Sequence, residues 1–406
     1  MRRDNEGTNG VISPDQRSVE TWLFGFLRAD APRGREALRA AHELFARLRD
    51  PQDRVRAVHV VGTAGKGTVA RLVARELRRR GITVGLHLSP HVHDVRERFT
   101  VAEQLPSWAD VAAAASEVDA VIDRQDPPTF FAVTTALALV LARQAGTDVL
   151  VIEAGIGGRY DATNTFHRRD VVTAITAIGL DHQNVLGATV DRIAQEKAAV
   201  LRGRDWAVLG PQPEPVARRT VQAAGRVFGT RFLEVKPTGD WRSDAEATAR
   251  AVLLWFLPDV GVVEPLEQPG RYEVHESGAR RWIFDGAHNP MKLAALARTV
   301  VDETRPRVGI VAIGAGKDLR GCAAALAPML DRAIVVEFGP PAGEHGPVSY
   351  PADEVQRALE RAGVADVTVS ATPADAVAAA DRHEGLTVVV TGSFLHLSAI
   401  RDALNG

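Results

Sequence analysis

The sequence predicts an α/β fold in two domains, each built on a mainly parallel sheet. Three observations carry that prediction. Short β-branched runs alternate with stretches of helical period almost throughout the chain, the pattern of repeated β-α units. The alternation stops and restarts around 257–271, a segment rich in Pro, Gly and acidic residues that reads as a linker. A chain of 406 residues is also too long for one ordinary core. The expected organisation is a disordered lead-in over 1–17, a larger domain over 18–271 and a smaller one over 272–406.

The elements follow in order. The lead-in, MRRDNEGTNGVISPDQR, is polar and lacks the apolar stretch of a signal peptide. Helices are expected near 18–28 and 35–48, then a strand at 56–61 and a helix at 67–80. Strands near 82–88, 148–153, 171–177 and 205–209 complete the first series, with helices near 107–123, 131–145, 189–201, 213–226 and 243–256. The second series has strands at 282–286, 307–314, 333–339, 367–371 and 387–393, separated by helical stretches such as AVAAADRH (376–383).

Composition removes several classes of function. Net charge is −2 with no block of like charge, so nucleic acid and anionic membranes are not expected partners. No apolar run reaches the ~18 residues of a membrane span. Cys322 is the single cysteine, which excludes an internal disulfide and a cysteine-based metal site. A reducing cytoplasm and a monomeric chain are the expectation.

The segment VHVVGTAGKGTVARLVARELRRRG (58–81) runs from an apolar strand through a glycine turn into an amphipathic helix. That order builds a phosphate cradle. Backbone N–H groups of Gly62, Thr63, Ala64, Gly65, Lys66 and Gly67 can face phosphate oxygens, and the helix start adds its positive end. Lys66 supplies a cation and the Thr68 hydroxyl a Mg²⁺ ligand. The general G-x-x-x-x-G-K-[ST] pattern would need Gly at Val60 and Ser or Thr at Gly67, so this is a variant. The alternative is a glycine-rich strand–helix turn with an incidental lysine. The flanking strand and helix favour a nucleoside triphosphate site.

Other candidates gather at strand ends. Glu153 ends the apolar run VLVIE and needs a cation or metal, or else serves as an ordinary ion pair. Gly155, Gly157 and Gly158 follow it, at the sheet edge where α/β ligands bind. Asp181 and His182 lie past the next strand, and Lys197 lies on a helix with an apolar face where a surface lysine is the plain alternative. In HLSPHVHDVRERF (87–99), Ser89 can ligate a cation or cap a turn, and Arg96 and Arg98 can meet a carboxylate or form a solvated face. Farther on, Arg271, Asp285, His288, Asn289, Ser393 and His396 are nucleotide- or substrate-binding candidates, or capping and turn residues.

The segments GTAGKGT, LSPHVHDVRERF, EAGIGGRYDATN, GLDHQNVLGATVDRIAQEKAAV, PGR, FDGAHNP, IGAGKDLRG and TGSF, in this order, resemble the folylpolyglutamate synthase and dihydrofolate synthase family of Mur-type ATP-dependent ligases. The resemblance runs from about Trp22 to Leu404. It implies a P-loop ATPase-type domain followed by a smaller Rossmann-like domain. It implies that Lys66 and the 62–68 loop hold ATP phosphates, with Arg271 and Asp285 at phosphate and ribose. Thr68 and Glu153 resemble ligands of a first Mg²⁺, and Ser89, Glu153 and His182 those of a second. Lys197 resembles the family's carbamylated lysine. Arg98, His288 and Ser393 resemble residues at the incoming amino acid. Lys66, Glu153, His182 and Lys197 are thereby the catalytic set.

The chain departs from the family pattern at four places. Asp94 stands for an arginine, Ala132 for a glutamate, Ala64 for an asparagine, and Ala245 where an adenine-side asparagine is expected. The expectation is a carboxylate–amine ligase that forms an acyl phosphate, with glutamate added to a pteroate or folate. A related ligase for a non-folate acid is the alternative, and a non-catalytic nucleotide-binding module the third reading.

Overall fold

A computed structural model describes residues 11–28, 30–92, 94–278, 280–339, 347–382 and 387–405. Most of the expected lead-in lies outside the described residues. Its last part is ordered: the Ile12 amide donates to Ser116 Oγ, and the first helix starts at Gln16. The chain divides into two compact units, residues 1–177 with 194–264, and residues 178–193 with 265–406. Residues 178–193, placed by sequence in the first domain, cluster with the second unit.

In the first unit, helices α1 (Gln16–Phe24) and α2 (Gly34–Arg47) precede strand β1 (Arg56–Val61) and helix α3 (Lys66–Arg79). Then come β2 (Val84–His87), β3 (Phe99–Val101), α4 (Trp108–Asp119), α5 (Phe130–Gln144), β4 (Val149–Glu153) and β5 (Val172–Ile175). The chain then passes through the short α6 (Gln183–Leu186), among the residues that cluster with the second unit, and α7 (Val190–Ala198), whose residues from 194 on return to the first, before β6 (Trp206–Leu209), α8 (Pro215–Phe228), β7 (Arg231–Glu234) and α9 (Trp241–Leu253). The sheet order is β3-β2-β4-β1-β5-β6-β7, parallel except for β3. The central strands β1 and β4 read as unbroken apolar runs because helices cover both faces. The main core lies between the sheet and α1, α2, α4 and α5, with Phe45, Phe99, Leu137 and Ile152 fully buried. On α3, Leu72, Val73 and Leu77 are buried, and α9 packs against this helix.

The second unit has a six-stranded sheet, ordered β12-β11-β10-β13-β9-β8. Its elements run β8 (Glu273–Ser277), β9 (Arg280–Asp285), α10 (Pro290–Val300), β10 (Arg307–Val311), α11 (Leu319–Leu326) and β11 (Arg332–Val335). They end with α12 (Ala352–Ala362), β12 (Asp366–Val369), α13 (Pro373–Arg382), β13 (Thr387–Thr391) and α14 (Leu397–Asn405). Among the described strands of this sheet, only the edge strand β8 is antiparallel. No described helix is long and apolar enough to cross a membrane.

Candidate active site

Strand register assembles the site in the first unit. Val60 of β1 stands opposite Glu153 of β4, and His87 of β2 opposite Ile152. The chain leaving β1 therefore enters the glycine loop beside Glu153, and the chain leaving β2 reaches Ser89 there too. On the other side, Val61 pairs with Ile175, so Thr176 flanks Gly62. A Cβ at Gly62 would stand 1.9 Å from Thr176 Oγ1, which only glycine permits. Gly65 is the N-cap of α3 with φ +82°, a left-handed conformation that glycine adopts at no steric cost.

The loop differs in detail from the expected cradle. The amides of Thr63 and Ala64 both donate to the Ala177 carbonyl, at 2.8 and 3.1 Å, rather than facing a ligand. The parallel β1–β5 pairing carries that carbonyl alongside the loop and captures them. The amides of Lys66, Gly67 and Thr68 begin α3 and have no intrahelical acceptor, so the positive nest lies at the helix start. Thr176 Oγ1 donates to the Ala64 carbonyl at 2.7 Å and fixes the loop from behind. Sequence reasoning missed Thr176, because a threonine after a strand carries no signal until the register is known.

Glu153 is 5% exposed. Its Oε1 lies 3.5 Å from Lys66 Nζ, and its Oε2 accepts from the Ser89 amide at 3.3 Å. A Cβ on Gly67 would stand 3.3 Å from the same Oε2. Lys66, Gly67, Ser89 and Glu153 are thus brought together. Among the described residues no group of three or more His, Cys, Asp or Glu side chains gathers as a metal site. The donors offered by Thr68, Ser89 and Glu153 are hard oxygens, two hydroxyls and one carboxylate. That set fits Mg²⁺, which keeps waters and phosphate oxygens in most of its positions.

Lys197 is not the surface lysine of the plain reading. It is 5% exposed, and its Nζ donates to the Gly62 carbonyl at 2.8 Å. Buried Asp161 accepts from the Ile156 and Thr163 amides, and its carboxyl is pushed up by burial while Lys197 pulls it back. Arg98 is also buried. Its Nε donates to His91 Nδ1 at 2.8 Å and its guanidinium lies over the Phe130 ring. Burial lowers Arg98 to about 10, with Glu153 and Glu97 opposing. Arg96, by contrast, is held by Asp94 at 2.7 Å and stacked on Trp108. Ala132 is fully buried on α5, and Ala245 is buried on α9.

The second unit builds its own polar cluster. Asp285 ends β9 opposite Thr391, so residues after β9 and β13, including Ser393, share one sheet edge. Buried Asp285 accepts from the Tyr272 and Ala287 amides, both at 2.8 Å, and burial raises its carboxyl while Arg271 lowers it. Arg271 lies over the Phe394 ring at 4.4 Å. Ser393 Oγ accepts from the Leu395 amide.

Asp181 is the hub of this cluster. It accepts from Lys317 Nζ at 2.6 Å and from Asn289 Nδ2 at 2.8 Å, with His288 Nε2 3.7 Å away. Burial pushes its carboxyl up, but His288, Lys292, His182 and Lys317 together hold it well below the usual carboxylate range. His288 is lowered to about 3 by burial and by Lys292. The neutral ring donates from Nδ1 to the Gly286 carbonyl at 2.8 Å and accepts Lys292 Nζ at Nε2, 3.0 Å away. His182 takes a left-handed backbone, φ 49°, and lies 3.8 Å from Asp181. Lys292 and Lys317 had not been singled out in the sequence. The fixed loop after β10 is what brings Lys317 to Asp181.

The chain is similar to several known proteins. A family model described as the glutamate ligase domain of Mur ligases matches residues 270–394. The chain is 30% identical over 98% of its length to the dihydrofolate synthase/folylpolyglutamate synthase of Mycobacterium tuberculosis, covering 96% of that protein. It is 38% identical over 56% of its length to a probable bifunctional folylpolyglutamate synthase/dihydropteroate synthase of Haloferax volcanii, and spans about a quarter (26%) of that longer relative. A solved bifunctional folylpolyglutamate synthase/dihydrofolate synthase with Mn, AMPPNP and L-glutamate bound superposes with a TM-score of 0.82 at 27% identity, over 96% of this chain and 98% of that one.

Proposed function

The chain belongs to the folylpolyglutamate synthase and dihydrofolate synthase family of Mur-type ligases, and from that premise we propose that it is an ADP-forming ligase joining L-glutamate to a pteroate or folate. One observation carries the reading: a glycine loop at a helix start, with Lys66 Nζ 3.5 Å from the buried carboxylate of Glu153. This arrangement suits a triphosphate with its counter-ion, and the relative solved with AMPPNP, Mn and L-glutamate supports it.

A carboxylate is a poor electrophile because its oxygen leaves badly. Attack of the acid's oxygen on the γ-phosphorus of ATP releases ADP and gives an acyl phosphate. The amine of the amino acid then adds to the acyl carbon, loses a proton and expels phosphate, leaving an amide. Lys66 and the free amides at the start of α3 offset the charge that spreads over the transferring group. Thr68, Ser89, Glu153 and His182 are the residues that would hold Mg²⁺, which supplies Lewis-acid charge neutralisation when bound. Lys197, carbamylated on Nζ, would add an anion behind Gly62. Arg98, His288 and Ser393 would receive the incoming amino acid, and Arg271 and Asp285 the nucleotide.

A second reading has one observation in its favour. Asp94 replaces a family arginine and pairs with Arg96 at 2.7 Å, so that guanidinium is already met by a carboxylate. A ligase with the same activation chemistry for a non-folate acid fits this change. A cytoplasmic, monomeric enzyme belongs to either reading. Steady-state assays with ATP, L-glutamate and either dihydropteroate or tetrahydrofolate decide between them. Glutamylated pterin seen by mass spectrometry supports the first, and ADP and amide formed only with another acid supports the second.

A further inference from the structure

We propose that the first unit carries a second anion-binding site, apart from the Gly62–Thr68 loop, that takes a small polyanion bearing phosphate or carboxylate groups. A cavity of about 520 Å³ opens between α2, the loop 159–167 and the turn 199–204, a size common for small-ligand clefts. Arg35, Arg159, Arg202, Arg204, His42 and His167 line it, with no Asp or Glu among the described lining residues, although Asp53 bonds His167 from outside the lining.

The guanidiniums here are not neutralised as they are nearby. On the same helix, Arg39 pairs with Glu43 and Asp126. Among the described residues, Arg159 is paired with a carboxylate, Glu196 at 2.9 Å, while Asp53 and Asp170 act on Arg204 through their charge alone. Arg35 has no partner among the described residues, and Arg202 has only the Phe228 ring, 5.3 Å away. Arg204 is 4% exposed; its terminal nitrogens donate to the carbonyls of Phe166 and Arg168, and its Nε has no partner. A buried guanidinium with an unspent donor, beside two uncommitted ones, is costly unless an anion completes it.

One further feature raises the local potential. Arg35 stands in the first turn of α2, and the N-cap residue Arg33 offers no side-chain acceptor, so amides of that turn remain open. His42 and His167 face each other 5.6 Å apart; burial and His167 hold His42 below its ordinary value, with Asp50 and Asp53 opposing. Guanidinium forks grip carboxylate and phosphate in the same bidentate way, so the geometry specifies the charge and not its source.

The site is separate from the nucleotide loop. Arg204 precedes β6, and His167 is bonded to Asp53 just ahead of β1, whereas the loop follows the end of β1. Six strand residues at ~3.3 Å each, ~20 Å in all, lie between the two ends of β1.

The test uses the full chain saturated with ADP and follows the His42 and His167 imidazole signals by NMR. Pyrophosphate or citrate is titrated in, with NaCl at matched ionic strength as reference. Saturable movement of the His42 signal is expected, weakened at least tenfold by the pair Arg35→Glu and Arg202→Glu and much less by the same positions changed to Lys. Tighter binding of pyrophosphate assigns a phosphate source, and tighter binding of citrate a carboxylate source. Equal movement with NaCl, or unchanged affinity in the Glu pair, overturns the proposal. If the Glu pair fails to fold, Arg35→Gln with Arg202→Gln carries the same test.

Discussion

Lys197 and Glu153 are buried groups whose partners explain where they sit. Lys197 donates to the Gly62 carbonyl and Glu153 faces Lys66 and the Ser89 amide. Replacing Glu153 with Gln keeps the shape but removes the charge that faces Lys66. The Mg²⁺ concentration for half-maximal activity is expected to rise about tenfold or more, read from metal titrations of ADP release; an unchanged titration would refute a ligand role. Lys197→Ala is expected to abolish ligation, with part of the rate restored by short carboxylates such as acetate; full activity without additive would rule out a carbamate on Lys197. His288 is a neutral ring fixed between the Gly286 carbonyl and Lys292. Truncating it to Ala removes the ring nitrogen that accepts from Lys292 and is expected to raise the amino-acid KM by about tenfold or more while the ATP KM moves little. Equal changes in both would displace it from the amino acid.

Register, rather than any one motif, places the site among the elements. Val60 opposite Glu153 and Val61 opposite Ile175 bring two strand ends against the glycine loop. The contact of Gly62 with Thr176 follows. Gly62→Ala puts a methyl 1.9 Å from Thr176 Oγ1, so ADP affinity is expected to fall about tenfold or more. Adding Thr176→Ala should recover part of it, because the oxygen is the atom that clashes. Calorimetry of ADP binding to the single and double variants reads both effects. The alternation of apolar runs and helices was legible, and so were the central strands, because they are continuous Val and Ile runs. The short strands β3, β7 and β8 were not. Phe99–Val101 has three residues, and Arg231–Glu234 and Glu273–Ser277 are edge strands with exposed or half-buried positions, so none carries a strong apolar period. Glu153 could be read from its place in an apolar run. Asp181 with Lys292 and Lys317 could not, because their meeting depends on segments far apart in sequence.

For the molecule as a whole, buried histidines set the response to acid. His59 and His288 are lowered from 6.5 to about 3, and His87 and His396 to about 4, in each case chiefly by burial. The folded state therefore binds fewer protons than the unfolded state below pH 6.5, and stability falls as pH drops from there towards those values. The depressed Asp181 acts in the same direction at lower pH, because its stabilisation is lost as its carboxylate is protonated. Asp161 and Asp285 are raised, so their contribution instead fades as pH rises above 3.8. Unfolding midpoints by circular dichroism are expected to drop steadily between about pH 7 and about pH 4.5. His59→Gln, which can still meet Thr163, should make that slope shallower; a flat profile in the parent chain would contradict the neutral-core assignment. The acid substrate is labelled with ¹⁸O in its carboxylate and turned over with ATP and L-glutamate, and the released phosphate is analysed by mass spectrometry. Activation through an acyl phosphate predicts that each phosphate carries one ¹⁸O from the acid; phosphate free of label, formed alongside the amide, would contradict it.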